Sequence, residues 1–170
     1  MRARHTAGLL VAVGTLVAGL VAGCAGDSSA EDHNAPSPLP ANLAFVDVEA
    51  TRAVSEQIKP AVARFFSYDH RQFDAYLSQV MADTTPRYWT EVEPSLSIVR
   101  DVASRKQVVA SAEVVATSVR VLEPSRAELL LFVNRRTTEA GGPPQLEGSS
   151  VVIKAARTGP NWKIDGMTVS

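Results

Sequence analysis

From Phe45 onward the apolar positions fall into two regimes. In the first half they recur at helical spacing: Ala50, Val54, Ile58, Ala61 and Phe65 form one stripe of an amphipathic helix. Asp47 offers an N-cap oxygen, and Pro60 predicts a kink or break. Phe73, Tyr76, Leu77 and Val80 share a face and predict a short second helix around Gln72 to Met81. Thr85 followed by Pro86 supplies a cap and a first-turn proline for a third helix. Its stripe is Trp89, Val92, Leu96, Val99 and Ala103, with Pro94 predicting another kink.

The second half reads as strands. Val108 to Leu122 is rich in Val, Ser, Thr and Ala and is long enough to hold a bulge. Glu123-Pro124-Ser125 turns the chain into a second strand, Arg126 to Arg136. Its centre, Leu129-Leu130-Leu131-Phe132-Val133, is apolar on both faces, as expected of an interior strand covered on each side. Thr137 to Gly148 reads as a long, mobile hairpin loop. Ser149 to Arg157 and Trp162 to Val169 complete the set around the turn Thr158-Gly159-Pro160-Asn161. Helices followed by an antiparallel meander predict an α+β fold, its N-terminal helices packed on a curved four-stranded sheet.

The first 44 residues follow a different pattern. Arg2, Arg4 and His5 precede an uncharged run from Ala7 to Gly23, the layout of a secretory signal. Leu20-Val21-Ala22-Gly23-Cys24 resembles a bacterial lipobox, and Cys24 is the single cysteine of the chain. Its thiolate can take a diacylglyceryl group, and two or three acyl chains would hold the protein on a bilayer. Residues 1–23 are therefore expected to be a lipoprotein signal peptide. Residues 24–44, with Pro36, Pro38 and Pro40, are expected to be a tether from the membrane to a domain over 45–170. Stretched out, about 20 residues span roughly 65 Å.

Composition narrows the chemistry. The chain is 170 residues long, 45% apolar, with 17 basic and 18 acidic residues. That balance gives no electrostatic reason to expect nucleic acid. One cysteine and three histidines, of which His70 alone falls in the folded region, leave little for metal or nucleophilic chemistry. No Gly-x-Ser-x-Gly or phosphate-cradling loop is present, and no cofactor is expected. A proton-shuffling site would draw on Asp69, His70 or Asp74 as base and Tyr68, Tyr76 or Tyr88 as donor. A helix exit at Asp69-His70-Arg71 outweighs that reading, because His70 and Arg71 suit a C-terminal dipole. An apolar pocket would be lined by Phe66, Tyr68, Phe73, Tyr76, Trp89, Phe132 and Trp162, with Phe65 beside them. The same side chains would more often simply fill a core. Arg135-Arg136 reads as a solvated strand end rather than a headgroup contact.

The order of three helices and then long strands resembles the cone of the nuclear-transport-factor-2 and ketosteroid-isomerase superfamily. Four local features resemble actinobacterial Mce-associated proteins. They are Phe66-Ser67-Tyr68-Asp69-His70, Tyr88, Arg126-Ala127 leading into Leu130-Leu131-Phe132-Val133-Asn134, and terminal Trp162-Lys163-Ile164-Asp165. The resemblance covers 45–170. It implies a non-enzymatic accessory protein of Mce transporters, which import lipids, held at the outer face of the plasma membrane with protein partners in that complex. Members of that family usually carry an uncleaved transmembrane helix, and the lipobox departs from this. The alternatives are a carrier of a lipid or sterol in the cone interior and, less favoured, an isomerase or dehydratase.

Overall fold

An amphipathic helix must bury its stripe, and here a curled sheet supplies the wall. In the computed structural model, which describes residues 42–170, helix α1 spans Val48–Phe65. It buries Val54, Ile58, Ala61 and Val62. Asp47 caps it, its carboxylate accepting from the Ala50 N–H at 2.8 Å. The signal peptide, Cys24, His33 and the tether up to Ala41 lie outside the described residues.

Pro60 sits inside α1 without ending it, so of the expected kink or break there is no break. Its ring lies on an exposed face, where the Glu56 carbonyl it leaves without a helical partner can turn to water. Pro94 behaves likewise within α3, which runs Pro86–Lys106. Thr85 caps α3 as expected, accepting from the Tyr88 N–H at 3.3 Å. Gln107 closes it in the left-handed region, at φ 52°. Between them α2 spans Phe73–Asp83 and buries Phe73, Tyr76 and Val80. A bidentate pair from Arg64 to Asp83, at 2.7 and 2.9 Å, ties α1 to α2.

The sheet has five strands rather than four, in the order β1-β2-β3-β4-β5, with neighbours antiparallel. The added strand is β1, Tyr68–Asp69, pairing with Ala110 and Val109 of β2. Two residues are too few to show an alternation. The helix exit expected at Asp69 is thus replaced by a strand and a 3-10 turn, His70–Gln72. β2 is Val108–Leu122 and its register with β3, Arg126–Glu139, breaks twice, at Val114/Ala116 and Val119/Val121. β4, Gln145–Thr158, breaks once against β5, Asn161–Val169, at Lys154/Ala155. Bulges sharpen the right-handed twist, and the sheet curls around α1.

The β3–β4 hairpin is much longer than expected. Thr137 pairs with Gln145, so most of the anticipated loop is ladder. The reversal needs only Ala140–Pro144, with positive φ at Ala140 (45°) and Gly141 (73°). Polar residues on both strands hid the pairing, because neither face is buried there.

On the inner face Leu129, Leu131, Val133, Val151, Ile153 and Ile164 close over Val54, Ile58 and Val62. A second cluster joins α2 and α3 to the start of β2 through Phe73, Tyr76, Val80, Leu96, Ala103 and Val108. The outer face has no such cover. Phe132 is 48% exposed, so β3 is central in the sheet but covered on one side only. Its five-residue apolar run is not explained by packing within this chain.

Neighbouring positions should therefore respond very differently. Leu131→Ala should lower unfolding free energy by about 2–5 kcal/mol, whereas Phe132→Ala should cost the monomer under about 1 kcal/mol. Urea titration of the two variants checks this, and comparable losses would reverse the assignment of faces.

Candidate functional site

The structure gathers some of the expected pocket residues and scatters the others. Tyr68, Phe73 and Tyr76 form one aromatic cluster where α1 hands over to β1 and α2, with Phe65 packed against it, whereas Phe66 packs on the core around α1. Phe73 and Tyr76 meet edge to face at 4.8 Å, and Tyr68 lies 5.5 Å from Phe73 and 5.6 Å from Tyr76. Phe65 and Phe66 meet at 5.6 Å. Trp89 packs, half-buried, on the same core. Trp162 belongs instead to the cluster around α1, and Phe132 lies on the opposite face of the sheet. The rings that do meet fill the space between α1, α2 and the sheet with one another.

Three of the candidate acid–base groups, Tyr76, Asp69 and Asp74, are held in structural contacts. The Tyr76 hydroxyl donates to the Phe65 carbonyl at 2.8 Å, and burial, aided by Tyr68, pushes its pKa upward. Asp69 accepts from the Arg71 backbone N–H at 2.9 Å, caps the 3-10 turn, and pairs with the Arg71 guanidinium. Those contacts hold its carboxyl well below the usual range, far from the near-neutral value that suits a general base. Asp74 is 88% exposed at its side chain and faces Arg100 at 3.0 Å. Tyr88 is buried, and that burial raises its pKa. His70 is half-buried on the 3-10 turn. Among the described residues no three His, Cys, Asp or Glu side chains gather closely enough to hold a metal ion.

A polar knot at the far side of the cone had no advance signal beyond the capping role of Thr85. Thr84 and Thr85 are the buried polar residues of this region. The Thr85 N–H donates to the Ile164 carbonyl at 2.9 Å, and its hydroxyl to Asp165 Oδ1 at 2.6 Å. Arg87 reaches the other Asp165 oxygen at 3.0 Å and also its carbonyl. The knot spans 80 residues of sequence and fastens the α2–α3 joint to β5. Burial pushes the Asp165 pKa up, but the hydrogen bonds from Thr85 and Arg87, with the charges of Arg87 and Arg126, outweigh it. The net shift is downward.

A cleft of about 550 Å³ opens at the N-terminal end of α1 between the β2–β3 and β4–β5 turns. Leu43, Ala50, Leu122, Pro124, Pro160 and Trp162 make an apolar floor, with Asp47, Glu49, Glu123 and Arg157 at the rim. Gln57 accepts from the Trp162 N–H at 2.7 Å and ties its floor to α1. Nothing in it pairs a base with a donor.

No protein-family model matches the chain. Two uncharacterized proteins of Mycobacterium tuberculosis, from strains CDC 1551 / Oshkosh and ATCC 25618 / H37Rv, are each 36% identical over 72 residues. That match takes in 42% of this chain and only 33% of theirs, so the chain spans about a third of the length of the curated relatives it matches. Solved structures share the architecture. The periplasmic domain of DotI superposes with TM-score 0.63 at 16% identity, covering 74% of this chain and 98% of that one. An IcmL-like type IV secretion system protein of Legionella pneumophila gives 0.62 at 12%, covering 72% and 91%. VirB8 of Agrobacterium tumefaciens gives 0.56 at 11%, covering 70% and 90%. The chain thus shares the α+β fold of these proteins. At those identities the likeness is one of fold.

The Asp165 knot carries a pH signature. Because its folded pKa is depressed, its stabilisation is present in full above the unfolded value of about 4 and is lost as pH falls through the folded value. Asp165→Asn should cost about 1 kcal/mol at pH 7, the carboxylate being partly screened by solvent. It should also lose less stability than the parent below about pH 4. Urea midpoints at both pH values decide; parallel losses in the two proteins would remove Asp165 from the acid response.

Proposed function

We propose that this chain is a non-catalytic accessory subunit of a cell-envelope assembly, specifically of an Mce-type lipid import system. The observation that carries the reading is the packed cone. Val54, Ile58, Leu129, Leu131 and Ile153, all fully buried, occupy the volume where a relative with an enzymatic or carrier role would need space. What remains for recognition is the outside. The fold neighbours include a periplasmic domain and type IV secretion system proteins, which fits a domain working in an envelope complex by protein contact.

The Mce assignment rests on the resemblance over 45–170 and is supported by the partial likeness to mycobacterial proteins. Lipid attachment at Cys24 and a tether over 24–44 supply the anchor in this reading. Among the described residues no helix is long and apolar enough to cross a membrane. A carrier using the cone interior and an isomerase both require a cavity where Ile58 and Leu131 now meet.

Crosslinking in actinobacterial membranes followed by capture of the chain should enrich Mce subunits; repeated recovery of the chain alone would overturn the assignment. Separately, Cys24→Ala should leave an uncleaved precursor that no longer carries acyl groups, read by intact mass. A normal mature mass in that variant would remove the lipid anchor while leaving the complex open to test.

A further inference from the structure

The three most exposed large apolar side chains among the described residues fall within four consecutive positions. Phe45 is 83%, Val46 78% and Val48 79% exposed, where the 3-10 turn Leu43–Phe45 runs into α1. Single exposed apolar residues are ordinary, but a cluster of them marks a contact surface. This cluster is also held firmly. The Asn42 side chain is fixed to the Arg120 carbonyl and the Leu122 N–H of β2. The Val46 and Asp47 N–H groups both donate to the Leu43 carbonyl, at 3.1 and 2.9 Å, and the Thr51 hydroxyl donates to the Ala44 carbonyl at 3.2 Å. Leu43 and Ala44 pack half-buried on the main core. The inner half of this short segment thus serves the fold, whereas Phe45, Val46 and Val48 form a rigid apolar tip in water.

The place of the tip in the chain says what covers it. The residues before Asn42 include the uncharged run Ala7 to Gly23 and Cys24, the segment directed at a bilayer, and the chain enters the domain three positions before Phe45. The stretch from Cys24 to Asn42 reaches at most about 60 Å. An anchor at that stretch confines the tip to the neighbourhood of the lipid, so a contact too weak to recruit a free protein is populated once the chain is attached. Charge decides the kind of contact. Asp47, Glu49 and Glu123 outnumber Arg157 on the rim of the adjoining cleft, so anionic headgroups find no attraction there and the contact must be apolar. We infer that Phe45, Val46 and Val48 are a membrane-docking tip, inserted about 5–10 Å into the headgroup–acyl boundary of the bilayer that holds the chain. The β3–β4 hairpin, at the opposite end of the sheet from the β2–β3 and β4–β5 turns, then points away from the lipid. This inference rests on the anchor reading and not on the Mce assignment.

The test places a polarity-sensitive fluorophore on one introduced cysteine of the full chain, reconstituted in phosphatidylcholine vesicles. Phe45→Cys, Val46→Cys and Val48→Cys report on the tip, and Gln145→Cys on the opposite end of the sheet. The parent, treated in parallel, gives whatever signal Cys24 adds. Flotation comes first: a chain that stays in the aqueous fraction removes the anchor, and this proposal with it. On floated chain the tip fluorophores should shift to the blue and lose about half of their emission to lipids bearing a nitroxide high on the acyl chain. The Gln145→Cys fluorophore should do neither. Adding Val46→Asp and Val48→Asp to Phe45→Cys should abolish the quenching with an unchanged thermal melt, because the native side chains and not the dye drive insertion. Tip fluorophores that stay in water on floated chain would overturn the proposal with the anchor intact, and would leave the tip to a protein partner. Quenching that survives the two aspartates, or that appears only when phosphatidylglycerol is added, would overturn its apolar basis. The three separate tip positions remain decisive if the double aspartate variant does not fold.

Discussion

One constraint organises the molecule: α1 has an apolar stripe that a flat sheet could touch on one side only. The register breaks in β2 and β4 remove that limit. By sharpening the twist they let β2 and β5 close on α1 from opposite sides, so that Val54, Ile58 and Val62 share one core with Leu129, Val151 and Ile164. The cost of this geometry is an exposed β2 edge. Short devices cover its ends. β1 pairs with Val109 and Ala110, and the Ser67 hydroxyl accepts from the Ala112 N–H at 2.8 Å. At the other end the Asn42 side chain donates to the Arg120 carbonyl at 2.8 Å and accepts from the Leu122 N–H at 2.9 Å. A single carboxamide thus stands in for a strand residue. Between these ends the bulges themselves discourage further pairing.

Filling the cone has a functional consequence. An interior enclosed by helices and a curled sheet either stays open, with room for a ligand, or is packed by side chains. Here three of the polar side chains serve as structural ties: Tyr76 on the Phe65 carbonyl, Asp69 on Arg71, Thr85 on Asp165. Each bond satisfies a group that would otherwise be costly to bury. The same bonds leave none of these groups available as a base. The packing and the polar ties therefore point the same way.

Much of this was legible in the residues because it is local. Asp47, the Thr85-Pro86 pair and the Glu123-Pro124-Ser125 turn act on backbone groups within four positions of themselves, and the structure places a cap or a turn at each. The limits of β2 followed from composition alone. What was not legible depends on distant partners. β1 exists only because Ala110 lies beside it. The outer half of the β3–β4 hairpin alternates polar with polar, so nothing in it announces a strand. Asp165 gains its role from Thr85, far away along the chain. The aromatic set was half legible: residues close in sequence, from Phe65 to Tyr76, do meet, whereas Phe132 and Trp162 required knowing which face of which strand they occupy.

Leu129 to Val133 shows why that last ambiguity matters. A run apolar on both faces is expected of a strand buried between two layers, and within one chain only a single layer exists. Leu129, Leu131 and Val133 meet α1 or its neighbours, while Leu130 and Phe132 lie on the other face, beside Val152 and Ser150 of β4. Solubility alone would favour a charge at position 132, the most exposed site at the centre of the sheet. The neighbouring outward positions do carry charges, Glu128 and Lys154, but they lie one row from the aliphatic pair and share the same register. The sequence pattern read as a strand covered on both sides, and among the described residues the structure covers only the side that faces α1.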